Sequence, residues 1–389
     1  MIRHLFTLIW NKKRSNALLL VELLASFLVL FGVTSLIVYN VNNYREPIGY
    51  QYKDRWVVNA DWGQVPDSLV TPIWQQLKQR IGAYPEVLAV SSSSGNTPFA
   101  NGTSNGVPTY NGVKVYTYNF WTDEDFARTM EMPLLEGRWF DKSDVAAAVT
   151  PVVVTRKLRE KVFGDEPAVG KLLIGDDKTD KRRIIGVVDN YKRGGEFEKV
   201  EAGMFYRAHP GDWQNALVLH VQPGTDAQFE AKLMKDLGQI AKGWNLELTY
   251  MADQRENQHN LSLVPMIIFL VVSSFLLVNV ALGLFGVLNV SITRRRGEIG
   301  LRRALGATEG RISRQFVGEM WVLATFALVL GLLLAGQFPL MHVFDLDARV
   351  YLIAMLISVV VIYLIVTLCA LYPSRQAAMV QPAVALHED

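Results

Sequence analysis

The chain has 389 residues, 50% of them hydrophobic and 20% charged, with 39 Lys and Arg against 37 Asp and Glu, a net charge of +2 and one cysteine, Cys369. This composition, with its positive mean hydropathy, excludes intrinsic disorder and a disulfide scaffold; it is too apolar for an ordinary soluble protein and too charged for one built wholly in lipid. A near-balanced charge gives no electrostatic case for nucleic-acid binding, so a hybrid of membrane and aqueous parts is expected, with membrane lipids as its surroundings.

In chain order, residues 1–16 come first, where Ile2, Leu5, Phe6 and Ile9 recur at helical spacing, with Trp10 beside them and Lys12, Lys13 and Arg14 after. This fits either an amphipathic cytoplasmic helix lying in the interface or a mere extension of the first span. Four apolar runs follow, at 17–39, 262–290, 316–339 and 350–372, each long enough to cross a hydrocarbon layer of about 30 Å. The first exceeds the roughly 7–15 apolar residues of a cleaved signal peptide and no small-residue cleavage site closes it, so a signal anchor is expected. Arg3, Lys12, Lys13 and Arg14 precede it, and Arg294, Arg295, Arg296, Arg302, Arg303, Arg311 and Arg314 crowd the loop 291–315. The short loop before the fourth span balances Arg349 with Asp345 and Asp347. Basic residues stay on the cytoplasmic side, which puts both termini, the tail 373–389 and the arginine loop inside, and residues 40–261 outside.

The outer segment is long enough for a core of its own. Residues 55–62 and 87–93 read as strands around a helix at 67–83, with Asp67 as its N-cap; residues 215–222 and 246–250 read as strands around a helix at 226–241. Two such β-α-β halves predict a four-stranded sheet with two helices on one face, the ferredoxin-like split arrangement, within an α+β domain. Residues 95–213 then form an inserted β-rich subdomain. It opens on SSSSGNTPFANGTSNG, a loop or mobile arm by its turn chemistry, and carries short strands at 151–155, 171–174, 183–188 and 204–207. Residues 251–260, polar and free of Gly and Pro, lead into the second span as a continuous helical stalk.

Catalytic chemistry finds little support. The nearest approach to a phosphate loop, GDEPAVGKL at 164–172, has five residues between its glycines and ends in Leu172 where Ser or Thr must hold magnesium, so it reads as a turn between strands. The histidines His4, His209, His220, His259, His342 and His387 lack metal-ligand spacing. Cys369 reads as a small hydrophobe within the fourth span, and Asp123, Glu124 and Asp125 as a solvated helix start rather than an acid–base pair. Asn101-Gly102-Thr103 fits a glycosylation sequon, relevant only in a eukaryotic secretory setting. The intramembrane polar set is thin, with Glu22 and Glu319 near the cytoplasmic ends of their spans and Asn279 and Asn289 besides, which disfavours ion transport.

The arginine loop is more ordered than a topology signal needs. Gly297 and Glu298 precede a helix-forming run, 299–305, in which Ile299 and Leu301 are apolar among arginines; Gly306 suits the position after a helix and Thr308 the cap of the next. A short exposed helix with an apolar edge is suited to dock in a partner's groove.

In this segment the chain resembles the permease subunits of MacB/FtsX-like, type VII ABC transporters, whose signature R-x-x-E-I-G-x-x-R-A-x-G-A is matched by Arg295, Glu298, Ile299, Gly300, Arg303, Ala304, Gly306 and Ala307. The tail matches their P-x-x-x-A-x-x-x-x-P-x-x-x-L ending with Pro373, Ser374, Ala377, Pro382 and Leu386, and the outer domain their pattern in VVVTRKLREKVFGDEPAVGKLL and RRIIGVVDN. The resemblance implies four transmembrane helices and a large extracytoplasmic α+β domain, a MacB-like periplasmic core, in a bacterial inner membrane. It further implies a second permease subunit and a separate ATPase subunit that holds ATP and Mg, with no cofactor in this chain. The segment from Arg295 through Leu305 to Ala307 would then be the coupling helix that contacts the ATPase. Work passed up the stalk to the outer domain, for efflux of a drug, peptide or lipoprotein-type substrate, is the function this implies. A periplasmic adaptor and outer-membrane channel, FtsX-like control of cell-wall hydrolases, and a non-transporting receptor or scaffold stay open beside it.

Overall fold

The computed structural model describes residues 13–100, 102–175, 177, 179–208, 214–341, 343 and 346–378. The expected interfacial helix of Ile2 to Trp10, Asn101 of the sequon, Asp345, the histidines His4, His209, His342 and His387, and the tail residues Pro382 and Leu386 lie outside them. The chain divides into two compact units, Met1–Val41 with Leu263–Asp389, and Asn42–Ser262.

The elements in chain order are α1 (Lys13–Arg45), β1 (Arg55–Asp61), α2 (Asp67–Gly82), β2 (Val87–Ser93), β3 (Asn105–Gly106), β4 (Thr109–Tyr110), β5 (Val113–Lys114), β6 (Thr117–Thr122), α3 (Phe126–Thr129) and β7 (Leu134–Gly137). A 3₁₀ turn (Lys142–Ala146) precedes β8 (Thr150–Thr155), α4 (Arg156–Phe163), β9 (Leu172–Ile174), β10 (Lys181–Val188), β11 (Gly203–Arg207), β12 (Ala216–Val221), α5 (Ala227–Ile240) and β13 (Asn245–Tyr250). The last elements are α6 (Met251–Thr293), α7 (Arg296–Ala304), α8 (Glu309–Ala335), α9 (Gln337–Leu340) and α10 (Ala348–Ala378).

In the outer unit β13, β1, β12 and β2 lie side by side in that order, every neighbouring pair antiparallel. In order of sequence the four strands run 4-1-3-2 with α2 and α5 as crossovers, the ferredoxin-like split arrangement. Alternation explains why the strands read as unbroken apolar runs: Trp56, Val58, Leu217 and Leu219 face the core beneath α2 and α5, whereas Val57, Ala216 and Val218 face a second core on the opposite side. Helix α2 starts differently from the expectation, because Pro66 occupies the cap position without a side-chain bond and Asp67 is already helical. Helix α5 is capped by Asp226, whose carboxylate accepts from the amides of Gln228 and Phe229.

The inserted segment shares its sheet with the split subdomain. Ser93 of β2 pairs with Thr122 of β6, and β11, β8, β10, β9, β4 and β5 continue the same sheet. Helix α4 covers this half, with Leu158 and Phe163 in a third core beside Val152, Val154 and Met204. The serine-rich stretch is likewise no mobile arm at its start: Ser91, Ser92, Ser93, Asn96, Thr97 and Phe99 are buried. The indole of Trp74 donates to Ser92 Oγ at 3.0 Å and Asn96 donates to the Asn119 carbonyl at 2.5 Å, so Ser92 and Asn96 are satisfied locally, whereas the buried Ser91 hydroxyl has no hydrogen-bond partner among the described residues.

In the other unit α1, α6, α8 and α10 contain stretches long and apolar enough to cross a membrane. Their buried faces repeat at about helical period: Leu19, Leu23, Phe27 and Phe31 on α1, and Val280, Leu284, Leu288 and Ile292 on α6, meet Ala324, Ala327 and Leu328 of α8. Gly331 is small because a Cβ there would stand 2.4 Å from the Phe27 ring. The other faces remain apolar and exposed, including Phe275, Leu282, Leu333 and Leu356, as suits helices whose solvent is lipid. Polar pairs pin α8 to α10: Trp321 Nε1 donates to Thr367 at 2.9 Å, Thr325 meets Tyr363 at 2.8 Å, and Ser313 meets Ser374 at 2.9 Å. Cys369 packs half-buried against this core.

Candidate functional site

Helix α7 is short and turns back sharply, for a local reason. Leu305 is its C-cap and Gly306 follows at φ +91°. The Gly306 amide donates to the Arg303 carbonyl and the Ala307 amide to the Arg302 carbonyl, both at 3.0 Å, which is the Schellman pairing that satisfies the last carbonyls of a helix. The expected position of Gly306 is therefore observed. Thr308 stands at the cap of α8 but makes no side-chain cap bond.

The helix is anchored on one side and open on the other. Ile299 (4% exposed) and Gly300 are buried, Ile299 within the core of the membrane helices. That corrects the expectation of Ile299 on a docking edge: the helix uses its first apolar side chain to seat itself. Leu301 (53% exposed) and Leu305 (79%) are what it presents outward, with Ala304 exposed between them. A groove of about 420 Å³ runs beside this edge, lined by Arg302, Leu305, Gly306, Ala307, Arg311, Ile312 and Gln315.

Ion pairs fix the orientation. Arg295 donates to both Glu319 oxygens, at 3.0 and 3.1 Å, with both side chains mostly buried, so it ties the start of α7 to α8. Gln315 donates to Glu319 at 3.3 Å and accepts from Arg302 at 2.6 Å, and Arg302 also pairs with Glu298. The result is a polar chain from Glu298 to Arg295 that ties α7 to α8. Arg303 pairs with Glu309 at 3.1 Å. Of the tail residues, Pro373 and Ala377 are within α10, where Ser374 is fully buried.

Glu319, Gln315, Arg311 and Ile312 were not singled out as part of this site by sequence, although Arg311, Gln315 and Glu319 recur at i, i+4, i+8 on the first turns of α8. That stripe was the available signal.

The other singled-out groups have structural occupations. Asp123 is buried, accepts from the Ser92 amide and pairs with Lys78 at 2.7 Å, which corrects the expectation of a solvated helix start. Burial pushes its carboxyl up, against the pull of the Lys78 ammonium. Glu124 pairs with Arg207 at 3.1 Å and Asp125 with Lys78 at 3.0 Å. The glycine segment 164–172 is a turn between α4 and β9, where Lys171 pairs with Glu166 and stands over the Phe163 ring. Among the described residues no three His, Cys, Asp or Glu side chains converge as a metal site requires.

Comparison with known proteins gives two family matches. The family described as MacB-like periplasmic core domain matches residues 23–235, and that described as FtsX-like permease C-terminal matches residues 269–382. Among curated proteins, the chain is 25% identical to a macrolide export ATP-binding/permease protein MacB 1/2 of Paracoccus denitrificans over 72% of this chain and 42% of the relative. It is 27% identical to MacB of Pasteurella multocida, over 69% and 43%, and 25% identical to the pyoverdine export ATP-binding/permease protein PvdT of Pseudomonas aeruginosa, over 71% and 43%. The chain thus spans less than half the length of these relatives. Among solved structures, the periplasmic region of MacB from Actinobacillus actinomycetemcomitans matches with a TM-score of 0.39 at 13% identity, over 56% of this chain and 98% of that one.

Proposed function

This chain belongs to the MacB-like periplasmic core domain family, and from that premise we propose that it is the permease subunit of an ABC transporter in a bacterial inner membrane. ATP and Mg are held by a separate ATPase subunit on the cytoplasmic side, and a second permease subunit completes a dimer. Both termini and the arginine loop face the cytoplasm, as the crowding of arginines in 291–315 supports. The observation that carries the reading is α7: a helix seated by Ile299 and Arg295, presenting Leu301 and Leu305 to solvent beside a groove, inside the FtsX-like segment. Two exposed leucines on a rigidly held helix are what an ATPase surface can grip, and the ion-paired base passes its displacement into α8.

The work is done on the outer side. The relatives named for export of macrolides and of pyoverdine support efflux, here of a drug, peptide or lipoprotein-type substrate, with a periplasmic adaptor and outer-membrane channel as the partners such efflux would use. Glu298→Lys, which turns the exposed Glu298–Arg302 pair into a repulsion, should reduce copurification of an ATPase severalfold while membrane insertion stays intact. Unchanged copurification would refute the coupling role and leave α7 as a topology signal or a receptor surface.

A further inference from the structure

In the outer unit, residues 190–198 touch both segments through which the chain enters and leaves that unit. Lys192 is 0% exposed, and its ammonium donates to the carbonyls of Asn43 at 2.5 Å, Glu46 at 3.2 Å and Glu196 at 2.9 Å. A buried ammonium is costly unless its three donors are matched, and here three backbone oxygens match them, two of them from the entering segment. The same segment is held by the Lys192 amide on the Ile48 carbonyl (3.0 Å), by Tyr50 Oη on the Lys192 carbonyl (2.8 Å) and by Asn43 Nδ2 on the Phe197 carbonyl (2.9 Å). Gly49 stands at φ +89°, and a Cβ there would fall 1.4 Å from the Asn190 carbonyl oxygen, so the approach of the two segments requires glycine.

The departing segment is gripped four residues further along the loop. Glu196 Oε1 accepts from Arg255 Nε at 2.6 Å and Oε2 meets His259 Nε2 at 2.8 Å. Burial alone would raise the Glu196 carboxyl, but hydrogen bonds from His259 and Arg255 outweigh it and hold it below the usual carboxylate range. The Phe197 ring lies 5.5 Å from Tyr44 on the entering segment and 5.0 Å from His259 on the departing one.

We propose that residues 190–198 are a clasp, with Lys192 and Glu196 as its positioning residues, which makes the entering and departing segments one mechanical element of the outer unit. Its purpose rests on the permease reading: a displacement delivered through either segment reaches the outer unit through both. The clasp itself does not depend on that reading. A turn that only closed the strand-to-strand connection from β10 to β11 would need no buried lysine aimed at Asn43 and Glu46, nor a carboxylate shared by Arg255 and His259.

The test uses the full chain in lipid nanodiscs with Cys369→Ser, which removes the one cysteine, and nitroxide labels at Arg45→Cys and Glu256→Cys, both exposed positions. Pulsed electron resonance should give one narrow distance distribution, broadened about twofold or more by Lys192→Met and by Glu196→Gln. The exchanged pair Glu196→Arg with Arg255→Glu should narrow it again, which a merely structural loss would not do. An unchanged width in Glu196→Gln protein of undiminished melting temperature overturns the clasp, and that variant decides alone if Lys192→Met does not insert. ATPase copurification from the same membranes reports on the permease reading separately, so either idea can fail without the other.

Discussion

Arg295 and Glu319 show how a single pair decides what an element can do. Both are mostly buried, so removing one partner leaves a charge without compensation, whereas removing both with apolar residues is far milder. Arg295→Ala should cost about 3 kcal/mol of stability and lower the melting temperature in detergent by several degrees, and Arg295→Met with Glu319→Leu should recover most of it. A second pair gives a pH dependence. The hydrogen bonds from Arg138, at 2.7 Å to each oxygen, hold the Asp144 carboxyl below its ordinary range. A depressed carboxylate contributes stability that is fully present above its unfolded value near pH 4 and is lost as pH falls through the lower folded value. Urea midpoints should therefore decline below about pH 4, and the decline should flatten in Asp144→Asn, at a cost near 1 kcal/mol at pH 7 because Arg138 is half-exposed. Residue roles of this kind were poorly legible in sequence. Arg295 and Arg303 belong to the same motif, yet only the fold turns Arg295 inward, and Asp123 looked solvated because Ser92 and Lys78, far off in sequence, supply its partners.

At the scale of elements the reading from sequence was much closer, because helix and strand periods are local properties. The four apolar runs became α1, α6, α8 and α10, and both β-α-β halves are present, since alternating burial and the polar punctuation between strands survive in any tertiary context. β6 and β7 were not read as strands: TYNFWT carries strand-favouring Thr, Tyr, Phe and Trp, so its signal was present, whereas LLEG pairs with β10 without such a local signal. Two predictions belong here. At Gly306 an added Cβ would meet nothing within 4 Å, so Gly306→Ala should cost about 1 kcal/mol through backbone conformation alone, read as a small drop in melting temperature. Helix α6 runs from Met251 to Thr293 with Pro265 inside it, and Asn257→Pro removes a further backbone bond, in the polar turns before that proline. ATP hydrolysis by the copurified ATPase should persist in Asn257→Pro while export falls at least tenfold; unimpaired export would show that the stalk is not a rigid lever.

For the whole molecule, the proposed function has an ATP-driven motion of another chain entering at α7 and being used by the outer unit. Membership of the MacB-like periplasmic core domain family supports that reading, and α7 is the proposed point of entry: its buried side is occupied by Ile299, Gly300 and Arg295, which leaves Leu301 and Leu305 exposed. Leu305→Glu tests this surface more cleanly than a change at Gly306, because Leu305 is 79% exposed and its replacement disturbs neither the core nor the positive φ of the turn. The most direct measurement is a tagged pull-down from native membranes, with the chain expressed from its own gene neighbourhood, followed by mass spectrometry and an ATPase assay on the eluate. The docking role of α7 requires a nucleotide-hydrolysing subunit in stoichiometric amount, lost with Leu305→Glu while the permease still inserts. Elution without any ATPase, or with one that Leu305→Glu leaves in place, would contradict it.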